Sequence, residues 1–255
     1  MVNKQHGSFV DRTGEKHITN EGYEVEIIEY FNFYNCTIRF NNGCTVENIC
    51  IGNVERGNIK NPYHPSVYEA GFLGIGKFKS KINTVNTNYY SYWISMLSRC
   101  YNKRLTLPTY KDVNVCKEWK CFQNFAKWFE DNWKTYMQGW QLDKDILQKG
   151  NKIYSPETCC FVPVEINSLF IKADKSRGEY PIGVNFNKRN KNFTAQINKY
   201  SNKIHLGSFS TPEEAFEAYK TAKEEYIKEV ADKWRGQITE QVYHAMYNYK
   251  VEIID

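Results

Sequence analysis

An α+β chain built of several small domains is the fold class that the sequence predicts, and three observations carry it. Short β-type runs divided by tight turns fill the first third, two stretches in the middle repeat apolar residues at helical spacing, and three more β runs precede a well-marked helix start in the last third. At 255 residues the chain is long enough for one large domain or two to three small ones. Hydrophobic content of 41% with 25% charged residues is that of a globular chain and excludes large-scale disorder.

Residues 1 to about 20 are polar and read as a loose lead-in. From Tyr23 the runs YEVEIIEY, NCTIRF and CTVENICI follow one another, with the turn Asn41-Asn42-Gly43 before the third, which is a hairpin signal. Turns at Arg56-Gly57-Asn58 and Asn61-Pro62 come next. The expectation over residues 1–80 is a small barrel-like or curled β module of SH3-like kind. It would contact DNA, dock a second copy or another protein, or serve as a structural piece without a ligand of its own. The polar segment Lys77–Thr87 reads as a linker.

Trp93, Met96, Leu97 and Cys100 recur at i, i+3, i+4 and i+7, which predicts an amphipathic helix from about Tyr89 to Tyr101. A second helix is predicted from about Lys117 to Trp133, with Trp119, Phe122, Ala126, Phe129 and Trp133 on one face. Both stripes read as core. In the run around Leu142, Ile146 and Leu147, Asp143 and Asp145 stand two apart, so a strand would point both carboxylates to one face, where they could hold one divalent cation. The run breaks at Lys149-Gly150-Asn151, resumes at Ile153-Tyr154, turns at Ser155-Pro156-Glu157 and reaches a helix through Phe161-Val162 and Glu165-Ile166-Asn167. The order is strand, turn, strand, helix.

That order, with Leu142-Asp143-Lys144-Asp145, Gly150, Tyr154-Ser155-Pro156-Glu157-Thr158-Cys159 and Phe161, resembles the HNH (ββα-metal) nucleases in the variant common among phage-encoded proteins. Trp93, Met96-Leu97-Ser98-Arg99-Cys100-Tyr101-Asn102 and Val115-Cys116-Lys117-Glu118-Trp119 resemble the segment that precedes the motif there, so the domain expected spans 86–170. The resemblance implies a catalytic group of Asp143, Lys144, Asp145 and Asn167, with Asp143, Asp145 and Asn167 as ligands of Mg2+ or Mn2+. It also departs from the family. Lys144 stands where the family's general-base histidine would be, Thr158 where the variant's asparagine would be, and none of the five histidines falls between Asp143 and Asn167. An ordinary lysine, with a pKa near about 10.4, cannot take a proton near neutral pH. Lys144 is expected instead to act as a fixed charge on phosphate, or the cluster is a solvated relic.

A charged connector, KADKSRGEY, leads to the most one-sided stretch of the chain. Between Pro181 and Ser210 stand Lys188, Arg189, Lys191, Lys199 and Lys203 with no acid, which equals the whole net charge of +5. A local positive surface is the footprint expected for a phosphate backbone. Three β runs (Ile182–Phe186, Asn192–Lys199, Ile204–Phe209) precede Thr211-Pro212-Glu213-Glu214, a helix start with N-cap, first-turn proline and acids. Ala215, Phe216, Ala218, Tyr219 and Ala222 are expected on the sheet. Gly183-Val184, Phe193, Ala195, Ile197, Leu206-Gly207-Ser208-Phe209, Glu214-Ala215 and Ala218-Tyr219 resemble the AP2/ERF DNA-binding domain, which is also found appended to phage HNH endonucleases; here it would span 178–236. The resemblance implies that the sheet enters the major groove of double-stranded DNA. Arg189 would read guanine, Gln196 and Asn198 adenine, and Lys188, Lys191, Lys199 and Lys203 would contact phosphates. Over 237–255, Ile238, Val242, Met246 and Tyr247 predict a helix, and VEII a short β tail.

Eight cysteines without a CxxC pair argue for thiols or metal ligands over disulfides. Cys100, Cys116, Cys121 and Cys159 or Cys160 are candidates for a structural zinc, with buried small hydrophobes as the alternative. No apolar run approaches the roughly 18 residues of a membrane span, and the N-terminus lacks a secretion signal, so a cytoplasmic protein is expected, in a phage-infected bacterium by the resemblance. Three functions stay open: an HNH-type homing endonuclease held in place by its AP2-like module, a DNA-binding protein whose ββα unit is inactive, and a partner-binding structural protein.

Overall fold

The computed structural model describes residues 10–105, 110–170 and 179–253. Among these the fold is α+β, with thirteen strands in five sheets and six α-helices. The chain divides into two compact units, residues 1–77 with 121–123, and residues 78–120 with 124–255.

In the first unit β1 (Lys16–Ile18), β2 (Glu24–Asn32), β3 (Asn35–Phe40) and β4 (Thr45–Ile49) form an antiparallel meander in the order β1-β2-β3-β4. Among the described residues no ladder returns β4 to β1, so the sheet is open where a small barrel or a curled sheet was expected. Strand β1 also lies within the segment that read as a loose lead-in. Alternation places Val25 and Ile27 of β2 and Cys36, Ile38 and Phe40 of β3 in the core, and the short helix α1 (Ile51–Glu55) adds Ile51 and Val54. Gly57, at φ +66°, lets the chain leave α1 beside β1, since a Cβ there would lie 2.9 Å from the Ile18 carbonyl oxygen.

The second unit begins with a hairpin, not a linker: β5 (Lys81–Ile82) pairs with β6 (Val85–Asn86). Helix α2 (Asn88–Tyr101) follows and buries Trp93, Met96 and Leu97. The helix expected over 117–133 is broken. A 3-10 turn covers Glu118–Lys120, Cys121 bridges to Phe72, and α3 (Phe122–Asn132) starts afterwards, because the Phe122 N–H bonds to the Phe72 carbonyl at 2.9 Å. Trp93 Nε1 donates to the Trp119 carbonyl at 2.8 Å, which satisfies the one polar atom of a fully buried indole. Around it Trp119, Phe125, Trp128, Phe129 and Phe161 meet at ring separations of 4.6 to 6.3 Å. Within this cluster Trp119, Phe125, Phe129 and Phe161 are buried and Trp128 is half-buried.

Strand β8 (Gln141–Asp143) pairs antiparallel with β10 (Cys160–Val162), and helix α4 (Val164–Leu169) follows directly, so strand, strand and helix stand in that order. Two details differ from expectation. The first strand ends at Asp143, leaving Ile146 and Leu147 in a bend, and β9 (Ile153–Tyr154) pairs parallel with β7 (Asn114–Val115), not with β8.

The last sheet has the order β11-β12-β13, from Val184–Asn187, Asn192–Lys199 and Asn202–Phe209. Helix α5 (Pro212–Trp234) lies against it, with Ala215, Phe216, Tyr219, Ile227, Val230 and Ala231 buried. Ala218 and Ala222 are only half-buried. The helix starts in a capping box: Thr211 Oγ1 accepts the Glu214 N–H at 3.2 Å, and Glu214 Oε2 accepts that of Thr211 at 3.3 Å. Gly183, at φ +79°, is where Tyr219 crosses the sheet, and a Cβ there would lie 2.0 Å from Tyr219 Cδ2. Helix α6 (Glu240–Tyr247) follows, and Val251 is buried without forming the expected strand. The ββα segment meets this part directly. Glu165 of α4 accepts from Lys233 Nζ at 2.7 Å and Trp234 Nε1 at 2.8 Å, while Trp140 meets Trp234 edge-on at 6.0 Å.

Candidate nucleic-acid interface and the acidic turn

The acidic pair does not share a strand face. Asp143 Oδ1 accepts the backbone N–H groups of Asp145 (2.8 Å) and Ile146 (2.7 Å), an Asx-type turn that competes with the ladder and ends β8. Burial, and next Asp145, raise the Asp143 pKa against the opposing pull of those two hydrogen bonds and of Lys144. Lys144 is buried at 8% exposure and points inward: its Nζ lies 2.9 Å from Asp145 Oδ2, donates to the Asn151 carbonyl at 3.1 Å and stands 6.0 Å over the Tyr154 ring. Asn167, on α4, donates its amide to Gln141 Oε1.

Each of these side chains is engaged within the protein. One oxygen of Asp143 closes its own turn, and the carboxylate of Asp145 faces an internal ammonium that already supplies positive charge. Among the described residues no group of three or more His, Cys, Asp or Glu could hold a metal. Lys144 offsets one of the two carboxylate charges, and it is Asn151 that closes the loop. Its amide donates to the carbonyls of Lys144 and Ile153, both at 2.7 Å, and its Oδ1 accepts the Ile153 N–H at 3.2 Å. In the sequence Asn151 reads only as part of a turn. Thr158 adds a bond from its hydroxyl to the Ile153 carbonyl at 3.0 Å.

The cysteines are free thiols. Burial pushes Cys100 up to about 11, Cys159 up to about 12 and Cys160 well above its ordinary value. Cys116 is raised for the same reason, and Cys121 belongs to the first unit while the other four candidates belong to the second.

The basic stretch is arranged differently. Ala195 and Ile197 are buried toward α5, so the residues between and beside them, Thr194, Gln196 and Asn198, face away from the helix. Opposite them in the ladders are Asn185 and Ser208 (to Thr194), His205 (to Gln196) and Lys203 (to Asn198), which share that face. Lys188, Arg189 and Lys191 stand in the β11–β12 turn and are exposed, and Asn187 Oδ1 accepts the backbone N–H groups of Arg189 (3.1 Å) and Asn190 (3.2 Å) to hold it. The side chains of Lys188, Arg189, Lys191 and Lys203 have no ion-pair partner among the described residues. Lys199 is placed elsewhere. It lies on the α5 side, 2.5 Å from Glu229 Oε1 and 5.6 Å over the Tyr226 ring, and is removed from the face that carries Gln196 and Asn198.

A second basic region escaped the charge argument. Between Glu69 and Asp112 the chain has no acid and seven cations, Lys77, Lys79, Lys81, Arg99, Lys103, Arg104 and Lys111. Its signal was present as an acid-free interval, hidden because acids elsewhere bring the sum outside 181–210 to zero. Among the described residues no helix is long and apolar enough to cross a membrane. No family model, no curated protein and no solved structure matches the chain.

Proposed function

We propose that this protein binds double-stranded DNA through the outer face of the sheet β11-β12-β13, and that the ββα segment braces that module without cutting DNA. One observation carries the reading: four cations without ion-pair partners among the described residues border a face of hydrogen-bonding side chains in a stretch that holds no acid. Phosphate contacts from Lys188, Lys191 and Lys203 would set position, and Arg189, Gln196 and Asn198 would read base edges in the major groove. The three strands backed by one helix support the AP2-like assignment.

The brace follows from the acidic turn. Asp143, Lys144, Asp145 and Asn167 each have a protein partner, and Glu165 of α4 holds Lys233 and Trp234 at the far end of α5. A metal-dependent HNH-type endonuclease is the second reading, favoured by the order β8, β10, α4. Purified protein is to be tested for gel shift of duplex DNA and, on supercoiled plasmid with magnesium or manganese, for nicking beside Asp143→Ala. Binding without nicking, unchanged in the variant, is expected. Absence of a gel shift would refute DNA binding, and nicking lost in Asp143→Ala would refute the bracing role.

A further inference from the structure

The hairpin between the two units' boundary and α2 has a composition that packing does not explain. Ile82 and Val85 oppose each other across the β5–β6 ladder, and so share one face, yet they are 57% and 68% exposed. Two-stranded ribbons have little stability of their own, and this one is held from its base. The Thr87 N–H bonds to the Ser80 carbonyl at 3.0 Å, and its hydroxyl reaches the Lys79 and Ser80 carbonyls at 3.1 and 3.2 Å. Thr87 is also the residue at the N-terminus of α2, so the ribbon is mounted on a packed helix. The tip has both Asn83 (φ 47°) and Thr84 (φ 68°) in the left-handed region, the conformation of a tight two-residue hairpin loop. A β-branched residue there is strained, and strain of this kind gathers at functional sites.

We propose that this hairpin is a second DNA-contacting element, an apolar wedge that enters the minor groove with Ile82 and Val85 and bends the duplex; the proposal rests on the DNA-binding reading above. Minor-groove proteins insert aliphatic side chains between base steps in this way, with cations alongside to meet the phosphates. Lys79 and Lys81 are exposed, have no ion-pair partner among the described residues, and lie in the interval from Glu69 to Asp112 that holds no acid between its ends. The same hairpin residues border an open groove of about 520 Å3 that Tyr89, Phe129, Glu130 and Trp133 also line. A protein partner would also cover apolar surface, but protein interfaces are depleted in lysine, whereas DNA interfaces are rich in positive charge.

The test uses the full chain on a duplex carrying donor and acceptor dyes at its two ends, with binding followed in parallel by gel shift. Ile82→Ser/Val85→Ser removes the wedge at exposed positions, and Lys79→Gln/Lys81→Gln removes its cations; circular dichroism confirms that each variant is folded. The wild-type protein is expected to raise energy transfer on binding, and the serine variant to bind with the same salt dependence but lose that rise. The glutamine variant is expected to lower the slope of log affinity against log salt by about 2, from roughly 0.9 per phosphate contact. Binding without a rise in the wild type, or a rise that the serine variant keeps, would overturn the wedge and leave DNA binding by the sheet intact. No binding by the wild type would overturn both.

Discussion

Replacing Lys188, Lys191 and Lys203 together by glutamine is expected to lower the salt dependence of DNA binding by a calculable amount. Each phosphate contact contributes roughly 0.9 to the slope of log affinity against log salt, so three contribute about 2.7. Between about 50 and about 200 mM salt, that share weakens binding roughly 40-fold, and the triple variant should lose this share. Lys199 supplies the internal control. It belongs to the same basic stretch, but its ammonium is 2.5 Å from Glu229 on the helix side of the sheet. Lys199→Gln is expected to leave the slope unchanged, whereas Lys203→Gln, one rung away on the outer face, lowers it by about 0.9. The assay is fluorescence anisotropy of a labelled duplex titrated at five or more salt concentrations. Equal decrements for Lys199→Gln and Lys203→Gln, or a triple variant with the wild-type slope, would refute the assignment of the outer face.

Three further outcomes follow from the packing. Lys144→Met strands the Asp143–Asp145 turn without its internal cation, and because Asp145 is itself 46% exposed the expected loss is held to about 1–3 kcal/mol, read from the urea midpoint. Gly183→Ala drives a methyl group into Tyr219 at a left-handed position and should cost about 2–4 kcal/mol; Gly183→Ala/Tyr219→Ala should recover part of this, a coupling that a double-mutant cycle measures. For Glu165, burial alone would raise the pKa, but hydrogen bonds from Lys233 and Trp234 prevail and lower it. A carboxylate with a depressed folded-state pKa stabilises the fold above its unfolded value near about 4.3, and that stability is lost as pH falls through the folded value. Acid titration of the urea midpoint should therefore show a shallower fall below about pH 4.5 in Glu165→Gln than in the wild type.

Much of the architecture was legible because it is written in local pattern. The period of two in residues 182–209 marks the three strands, and Thr211-Pro212-Glu213-Glu214 marks the start of α5, since a cap acts only on the adjacent turn. The same period also separates Lys199 from Asn198, so its placement away from the reading face was available from the sequence. Charge sums concealed the acid-free interval between Glu69 and Asp112, because addition over the chain discards position.

The acidic turn was not legible. Whether Asp143 continues a strand or accepts the backbone N–H groups of Asp145 and Ile146 is a competition between local bonds of similar strength. The Asn114–Val115 pairing with Ile153–Tyr154, and the bond from Phe122 to Phe72 that breaks the predicted helix, join residues far apart in the chain. The sequence by itself determined the mixed α+β class, the C-terminal strands and helix start, and where cations are in excess, since propensity, capping and charge act over a few residues. Tertiary structure alone decided which cations stay exposed and which are buried against a carboxylate, as for Lys203 against Lys144. Burial and pairing depend on what the fold brings within about 4 Å, which no local pattern specifies.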